Sequence, residues 1–375
     1  MNKFSCLLTV AVLFTAIAMR ADDDKELEHE CTSWMVFNDL TGNNTNILHK
    51  NRDATRRNVS VLLSPENSPR RWIALGSNSV NSGINRSGLA GVMNSGEMCA
   101  DHSMDPGKKS TPALLREILS NCDTAEQAAK MLEKFIKAGD YYHQKKGSIF
   151  FFMDPREGYI CEVTPKAFTA QVYRSGYTVR ANIWQNPGMQ FHSRNTIQRH
   201  FDSSARAYIA FSGLNQMLAK TGRITVADIF ELSRHHKMPK TSPLKRSVCF
   251  KHTNSGSSLE IDRQYPDVLS TGYFTVGHPR HTVYIPVPVC AEKLLPGMTN
   301  FQWSSASFKR FDAKGLAAPL PEEWLKFEKD SMAEYTGARE KARRLLDAGK
   351  RTEAVKLLND TAYKIWCSAE KLLNI

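Results

Sequence analysis

The sequence contains no Cys-x-x-Cys pair, which removes the usual zinc-ribbon and thioredoxin-type readings of its eight cysteines. Beyond the first 21 residues it has no run of 18 uncharged apolar residues, so no later segment is suited to crossing a bilayer. Low-complexity tracts are missing, and so is any basic stripe interleaved with aromatics. Disordered, collagen-like and nucleic-acid-binding classes are excluded on those grounds. The last is excluded despite 50 Lys and Arg against 38 Asp and Glu, because the net charge of +12 is spread along the chain. The His spacing nearest to a metal-ligand pattern, His278-x-x-His281, encloses Pro279 and has no nearby carboxylate. No metal or cofactor is expected there or elsewhere.

What is present is a globular composition, 41% hydrophobic and 23% charged over 375 residues, enough for a large core. Residues 1–21 read as a secretory signal: one early cation at Lys3, an apolar stretch over 4–19, and small residues at Ala16, Ala18 and Ala21. The stretch is shorter than the roughly 20 residues a membrane span needs and is interrupted by Ser5, Thr9 and Thr15. Cleavage after Ala18 and cleavage after Ala21 both fit. Residues 22–30, DDDKELEHE, are too polar to pack and read as a short propeptide or spacer. The expected address is secreted or periplasmic, with no stable membrane insertion once the signal is removed. In such an oxidising compartment some of the seven remaining cysteines could pair, but the odd number leaves one thiol over.

From Cys31, CTSWMVFNDLTGNNTNILHKNRD predicts a β-hairpin, and VSVLLSP, RWIALGS and GINRSGLAGVMNSG extend the β pattern. Apolar spacing over 112–138 predicts two helices broken at Asn121 to Asp123, the second capped by Thr124 with Gln127. GSIFFFMD, GYICEVTP, KAFTAQVYR and YTVRANIW predict a meander. Helices follow over 203–220 and 226–235, the latter capped by Thr225. SVCFKH, SSLEID, VLSTGYFTVG and HTVYIPVP predict a second β block. Residues 321–375 read as two amphipathic helices meeting near Gly349, an αα-hairpin. Strands, helices, strands, helices, strands favour an α+β architecture of antiparallel sheets faced by helices over a dinucleotide fold.

Cys31 carries the chemical interest. A nucleophilic thiol needs a base, and an amino-terminal Cys carries one on the same residue, because an α-amine titrates at about 7.7–8.0. A cut between Glu30 and Cys31 would create that pair.

From Cys31 almost to its end the chain resembles the N-terminal nucleophile (Ntn) hydrolases. The likeness is to the isopenicillin N acyltransferase-like branch, related to the choloylglycine hydrolases and penicillin V acylases. Five separated segments carry it. Cys31-Thr32-Ser33 followed by HKNRD is similar to the branch's Cys-Thr start and its Arg-Asn-x-Asp strand, at Asn51 and Asp53. GINRSGLAGVMNSG is similar to a Gly-x-Asn-x-x-Gly-Leu hairpin and carries Asn94. YICEVTP and YTVRANIW give an acidic strand followed by Asn182. SSARAYIA and GRITVADIFELSRHH are similar to a Ser-Ser-x-x-Arg helix and a helix ending in Asp-His, although here Arg234 precedes His235 and His236. SVCFKH, SSLEID and VGHP are similar to strands closing in Gly-x-Pro.

The resemblance implies a four-layer αββα sandwich over 31–320, with the helical hairpin of 321–375 packed on it. It also implies self-processing that exposes Cys31, and hydrolysis or acyl transfer at linear carbon-nitrogen amide bonds through an acyl-thioester. Asn94 and Asn182 would donate to the oxyanion, with Asn186 a rival for Asn182. Asp53 would hold the new α-ammonium, and Arg206 would steady Asp53 or a substrate carboxylate. Lys50 stands where the relatives place Arg, keeping the charge but losing the fork. The implied partner is a small-molecule or peptide amide, without cofactor, metal or nucleic acid; a homo-oligomer stays open. The rival readings are a dipeptidase-type peptidase and a secreted binding protein of the same fold, for which Lys50 and the missing Asp before His235 speak.

Overall fold

The computed structural model describes residues 30–99, 101, 105, 107–143, 145–194, 197–238 and 246–375. The signal at 1–21 and residues 22–29 of the spacer lie outside the described residues. Two antiparallel sheets form the centre. The first has six strands, in the order β12 (Tyr177–Arg180), β1 (Cys31–Val36), β2 (Thr45–Asp53), β13 (Thr253–Asp262), β14 (Thr271–Thr275) and β15 (Ile285–Pro288). The second has seven: β11 (Phe168–Tyr173), β10 (Gly158–Val163), β9 (Lys146–Met153), β6 (Ala90–Met98), β5 (Val80–Asn85), β4 (Trp72–Gly76) and β3 (Ser60–Leu63). A short parallel pair, β7 (Lys109–Ser110) and β8 (Tyr141–Tyr142), stands apart from both.

Helices cover the outer faces. On the seven-stranded sheet lie α1 (Thr111–Asn121) and α2 (Ala125–Lys137). Pro112 occupies the first turn of α1, where its missing N–H costs no hydrogen bond. Thr124 accepts from the Gln127 N–H, while the Gln127 side chain takes the Asp123 N–H, so the expected capping box is shifted by one residue. Leu115, Ile118, Leu119, Leu132 and Ile136 bury against Phe150 and Phe152 of β9, each contributing about 1.5–3 kcal/mol. The six-stranded sheet carries α3 (Ile197–Thr221) and α4 (Val226–Ser233) on its outer face, where Thr225 and Asp228 form a complete capping box. The arrangement is the α+β, four-layer αββα sandwich.

The C-terminal hairpin joins that second helical layer. Its helices, α6 (Glu322–Asp347) and α7 (Arg351–Leu373), turn at Gly349, whose φ of 74° is open to glycine. Trp324, Tyr335, Leu358 and Trp366 belong to the same apolar cluster as Trp34 and Leu48 of the sheet, and Trp366 Nε1 donates to the Pro286 carbonyl of β15 at 2.7 Å. Among the described residues no helix is long and apolar enough to cross a membrane.

Three local expectations change. SVCFKH is not a strand: residues 246–252 form turns, held by Thr253 bonding back to Phe250 and by Asn51 Nδ2 on the Val248 carbonyl at 3.0 Å. A helix unforeseen from the sequence, α5 (Gln302–Lys314), buries Ser304 and Ser307 beside Trp303 and Phe308, so its inward face lacks the apolar period. The seven described cysteines are all free thiols.

Candidate active site

The antiparallel register of β1 and β2 sets the site. It pairs Cys31 with Arg52, Thr32 with Asn51 and Ser33 with Lys50. Side chains alternate along a strand, so Cys31, Ser33, Lys50 and Arg52 share one face, and Thr32, Asn51 and Asp53 the other. The Cys31 face is turned to the seven-stranded sheet, where Ser33 Oγ donates to Asn94 Oδ1 at 2.8 Å. The Asp53 face is turned to α3, where Arg206 Nη1 donates to Thr32 Oγ1 at 3.1 Å and stands 3.9 Å from Asp53 Oδ2.

The Glu30–Cys31 peptide is fastened on both sides. The Asp53 N–H donates to the Glu30 carbonyl oxygen at 2.7 Å, and the Cys31 N–H donates to Asn182 Oδ1 at 2.9 Å. Arg206 Nη1 adds a bond to the Cys31 carbonyl at 2.8 Å, and its Nη2 meets Asn182 Oδ1 at 2.9 Å. Cys31 lines a cavity of about 460 Å³ together with Lys50, Arg52, Asp53, Met93 and His143. A separate cavity of about 700 Å³ between α4 and α6 shares none of these residues.

Lys50 is buried, with its Nζ donating to the Met93 carbonyl and reaching Asn94 Oδ1 at 3.5 Å. Burial pulls its pKa below the usual lysine value, with the neighbouring Cys31 acting against that fall. Burial likewise raises Asp53 to about 7, overcoming the opposite pull of Arg206 and of the Thr253 hydroxyl that donates to Oδ1 at 2.6 Å.

The two asparagines named from the sequence converge here. Asn94 Nδ2 donates to the Ala181 carbonyl at 3.1 Å and Asn182 Nδ2 to the Ser95 carbonyl at 2.7 Å. Each primary amide carries a second N–H. Asn186 serves elsewhere: its N–H donates to Glu162 Oε2 at 2.8 Å and its Nδ2 to the Ile160 carbonyl at 3.2 Å. Asn51 ties β2 to α4 through the Ser233 carbonyl at 2.7 Å. Arg234 pairs with Glu328 of α6 at 2.6 Å, and His235 Nδ1 contacts Ser247 Oγ at 2.7 Å. The two histidines of the His-x-x-His spacing pack on Phe311.

Sequence reasoning missed Glu30 as more than a spacer residue, and it missed Arg199 and Arg246. Arg206 Nη2 donates to the Glu30 carboxylate, and Arg199 and Arg246 approach it as well. The seven-residue spacing of Arg199 and Arg206 is two helical turns, but the sequence placed the helix start at residue 203, beyond Arg199.

Residues 38–242 match the family model for acyl-coenzyme A:6-aminopenicillanic acid acyl-transferase. Among solved structures, a variant of conjugated bile acid hydrolase from Clostridium perfringens is similar at 11% identity and a TM-score of 0.50, covering 70% of this chain and 94% of that one. Another mutant of that hydrolase has 11% identity, a TM-score of 0.47 and coverages of 69% and 92%. Penicillin V acylase from Agrobacterium tumefaciens has 16% identity, a TM-score of 0.46 and coverages of 69% and 86%. No curated protein matches the sequence. The sandwich is the fold of the N-terminal nucleophile hydrolases. Within that class the chain belongs to the acyl-coenzyme A:6-aminopenicillanic acid acyl-transferase family. Family and fold support a hydrolase or acyltransferase acting on amides.

Proposed function

We propose that the protein is exported, cuts its own Glu30–Cys31 bond, and then cleaves linear amides through a thioester on Cys31. The observation that carries this reading is the double grip on one peptide, Asp53 N–H on the Glu30 carbonyl oxygen and Asn182 on the Cys31 N–H, where the Cys31 side chain lines the cavity. Export, to the periplasm or the extracellular space, rests on the signal-like residues 1–21.

In self-cleavage, Cys31 Sγ bonds to the Glu30 carbonyl carbon, the C–N bond breaks, and the thiol proton ends on the Cys31 nitrogen as part of a new α-amine. Water then releases Glu30 as a carboxylate and restores the thiol. In turnover the α-amine takes the thiol proton and passes it to the leaving amine while the acyl group rests on sulfur. The Asp53 N–H already points at the oxygen that becomes negative in the first reaction. Asn94 and Asn182 are the donors for the substrate oxyanion, a role worth about 2.7–4 kcal/mol per donor. Lys50, which lines the same cavity as Cys31, steadies a developing thiolate as a point charge. Water is the second acceptor by default, since acyl-donor cofactors are scarce outside the cell; an amine would use the same thioester.

Intact mass of the mature protein tests the reading. A chain starting at Cys31 is expected, and a Cys31→Ala variant should keep residues upstream of position 31 and lose activity on a panel of N-acyl amides. Unchanged activity in that variant rejects Cys31 as the nucleophile.

A further inference from the structure

Glu30 is fully buried, and its carboxylate lies among three guanidinium groups. Arg206 Nη2 donates to Oε2, Arg199 Nη1 stands 3.8 Å from Oε1, and Arg246 Nη1 stands 3.9 Å from Oε2. Arg199 and Arg206 come from one face of α3 and are both buried; Arg246 comes from the turn segment ahead of β13. Three other acids share this basin. Asp53 is 3.9 Å from Arg206, Asp202 is 3.9 Å from Arg246 Nε, and Glu97 acts on Arg199 through its charge.

On the self-processing reading, on which this inference rests, Glu30 is also the residue whose carbonyl Cys31 attacks. Cutting the bond sends Glu30 away with the severed segment. The basin then loses one negative charge, while the cut adds an α-ammonium beside Asn182. Asp53, Asp202 and Glu97 stay with the three arginines, but one carboxylate lost and one ammonium gained leave the site with excess positive charge, poised for another carboxylate. The cavity on the sulfur side has the same bias, with Lys50, Arg52 and Lys146 against Asp53.

Self-cleavage is itself an acyl transfer. It puts the Glu30 acyl group on Sγ, with that group's side chain in the arginine basin. Turnover puts the substrate's acyl group on the same sulfur. We infer that Arg199, Arg206 and Arg246 form a carboxylate subsite for the acyl part of the substrate. It selects amides whose acyl chain carries a carboxylate at the reach of a glutamate side chain. Three carbons separate the two carbonyl carbons of a glutamyl residue, so glutaryl and α-glutamyl amides are the class that fits. Arg206 supplies the charge-assisted hydrogen bond such a group needs, and Arg246 and Arg199 add their charge at 3.9 and 3.8 Å.

The test uses mature protein whose start at Cys31 has been verified by intact mass. Glutaryl p-nitroanilide is compared with its 4-carbamoylbutanoyl counterpart, which has the same length and no charge. The expected kcat/KM is about tenfold or more higher for the glutaryl amide, the scale of one charge-assisted bond. In Arg246→Gln the ratio of the two should fall toward one. Free glutarate should inhibit the wild-type enzyme competitively and glutaramide should not, an arm that reads the subsite even if the Arg246 variant fails to fold or to cut itself. Equal kcat/KM for the two amides, with no inhibition by glutarate, overturns the inference and leaves the role of Cys31 standing. A mature chain still joined to Glu30 overturns both, and the mass alone distinguishes that result.

Discussion

Asp53 meets Glu30 through its backbone, N–H to carbonyl oxygen at 2.7 Å, while its carboxylate turns to the other face of β2 toward Arg206 and Thr253. The two contacts can be separated. Asp53→Asn keeps the backbone donor and removes the side-chain charge. Self-cleavage is therefore expected to persist, with a mature start at Cys31, while kcat/KM on an N-acyl amide drops roughly 10²-fold because the α-ammonium loses its orienting charge. Intact mass and steady-state kinetics on one preparation check both halves. A folded variant that stays uncut would show that the carboxylate, not the backbone, serves the first reaction.

The raised pKa of Asp53 also makes stability depend on pH. Its carboxyl titrates at about 7 in the fold, against about 3.9 when unfolded, so the folded chain binds more protons between those values. Its contribution is fully present below about pH 4 and is lost as pH rises through 7. Urea midpoints of Cys31→Ala, which retains Glu30, should therefore fall across this window. Adding Asp53→Asn should flatten that share. Glu162, raised to about 7 by burial despite the opposing N–H bonds from Gln185 and Asn186, has the same sign and is common to both variants, so their difference isolates Asp53. Parallel curves would refute the assignment.

Asn182 and Asn186 should behave differently on truncation. Asn182→Ala removes the oxygen that serves both the Cys31 N–H and Arg206, and kcat should drop about 10²–10³-fold. Asn186→Ala keeps the backbone N–H on Glu162 but removes the Nδ2 bonds to the Ile160 carbonyl and the Thr169 hydroxyl, and should cost roughly 1–3 kcal/mol of stability while leaving kcat of the folded enzyme near wild type. Kinetics and denaturant midpoints on both variants decide the matter; equal kcat losses would reject it.

Much of the fold could be read from the sequence because its signals are local. The Cys31 hairpin, the Thr225 cap and the break at Asn121 to Asp123 each depend on residues within a few positions of one another. β13 is legible only over SSLEID, its second half. Its first residues, Thr253 to Gly256, are buried and small or polar, with the Thr253 hydroxyl spent on Asp53, so no alternation of apolar residues marks them. The same holds at the site. Cys31, Asp53, Asn94, Asn182, Arg206 and Lys50 are named from motifs; Asp53, Asn182 and Arg206 touch the Glu30–Cys31 segment, while Asn94 bonds Ser33 and Lys50 beside it. Glu30 and its three arginines come together from segments about 170 or more positions apart, with no motif to announce them.

Arg234 and Glu328 form a buried pair that links the end of α4 to α6. Glu328→Gln leaves the guanidinium without its charge partner, and unfolding should become easier by about 3–5 kcal/mol. Thermal denaturation checks the loss, and the mass of the mature chain should remain that of a start at Cys31. An unaltered melting temperature would mean that solvent replaces Glu328 freely.

The Trp366 indole bond to β15 ties the last helix to the outer strand of the sheet that opens with Cys31. A nascent chain whose final helices are still inside the ribosome lacks that brace and the Glu328 anchor together. The outer strand of that sheet is thereby left uncovered until the whole polypeptide has been made.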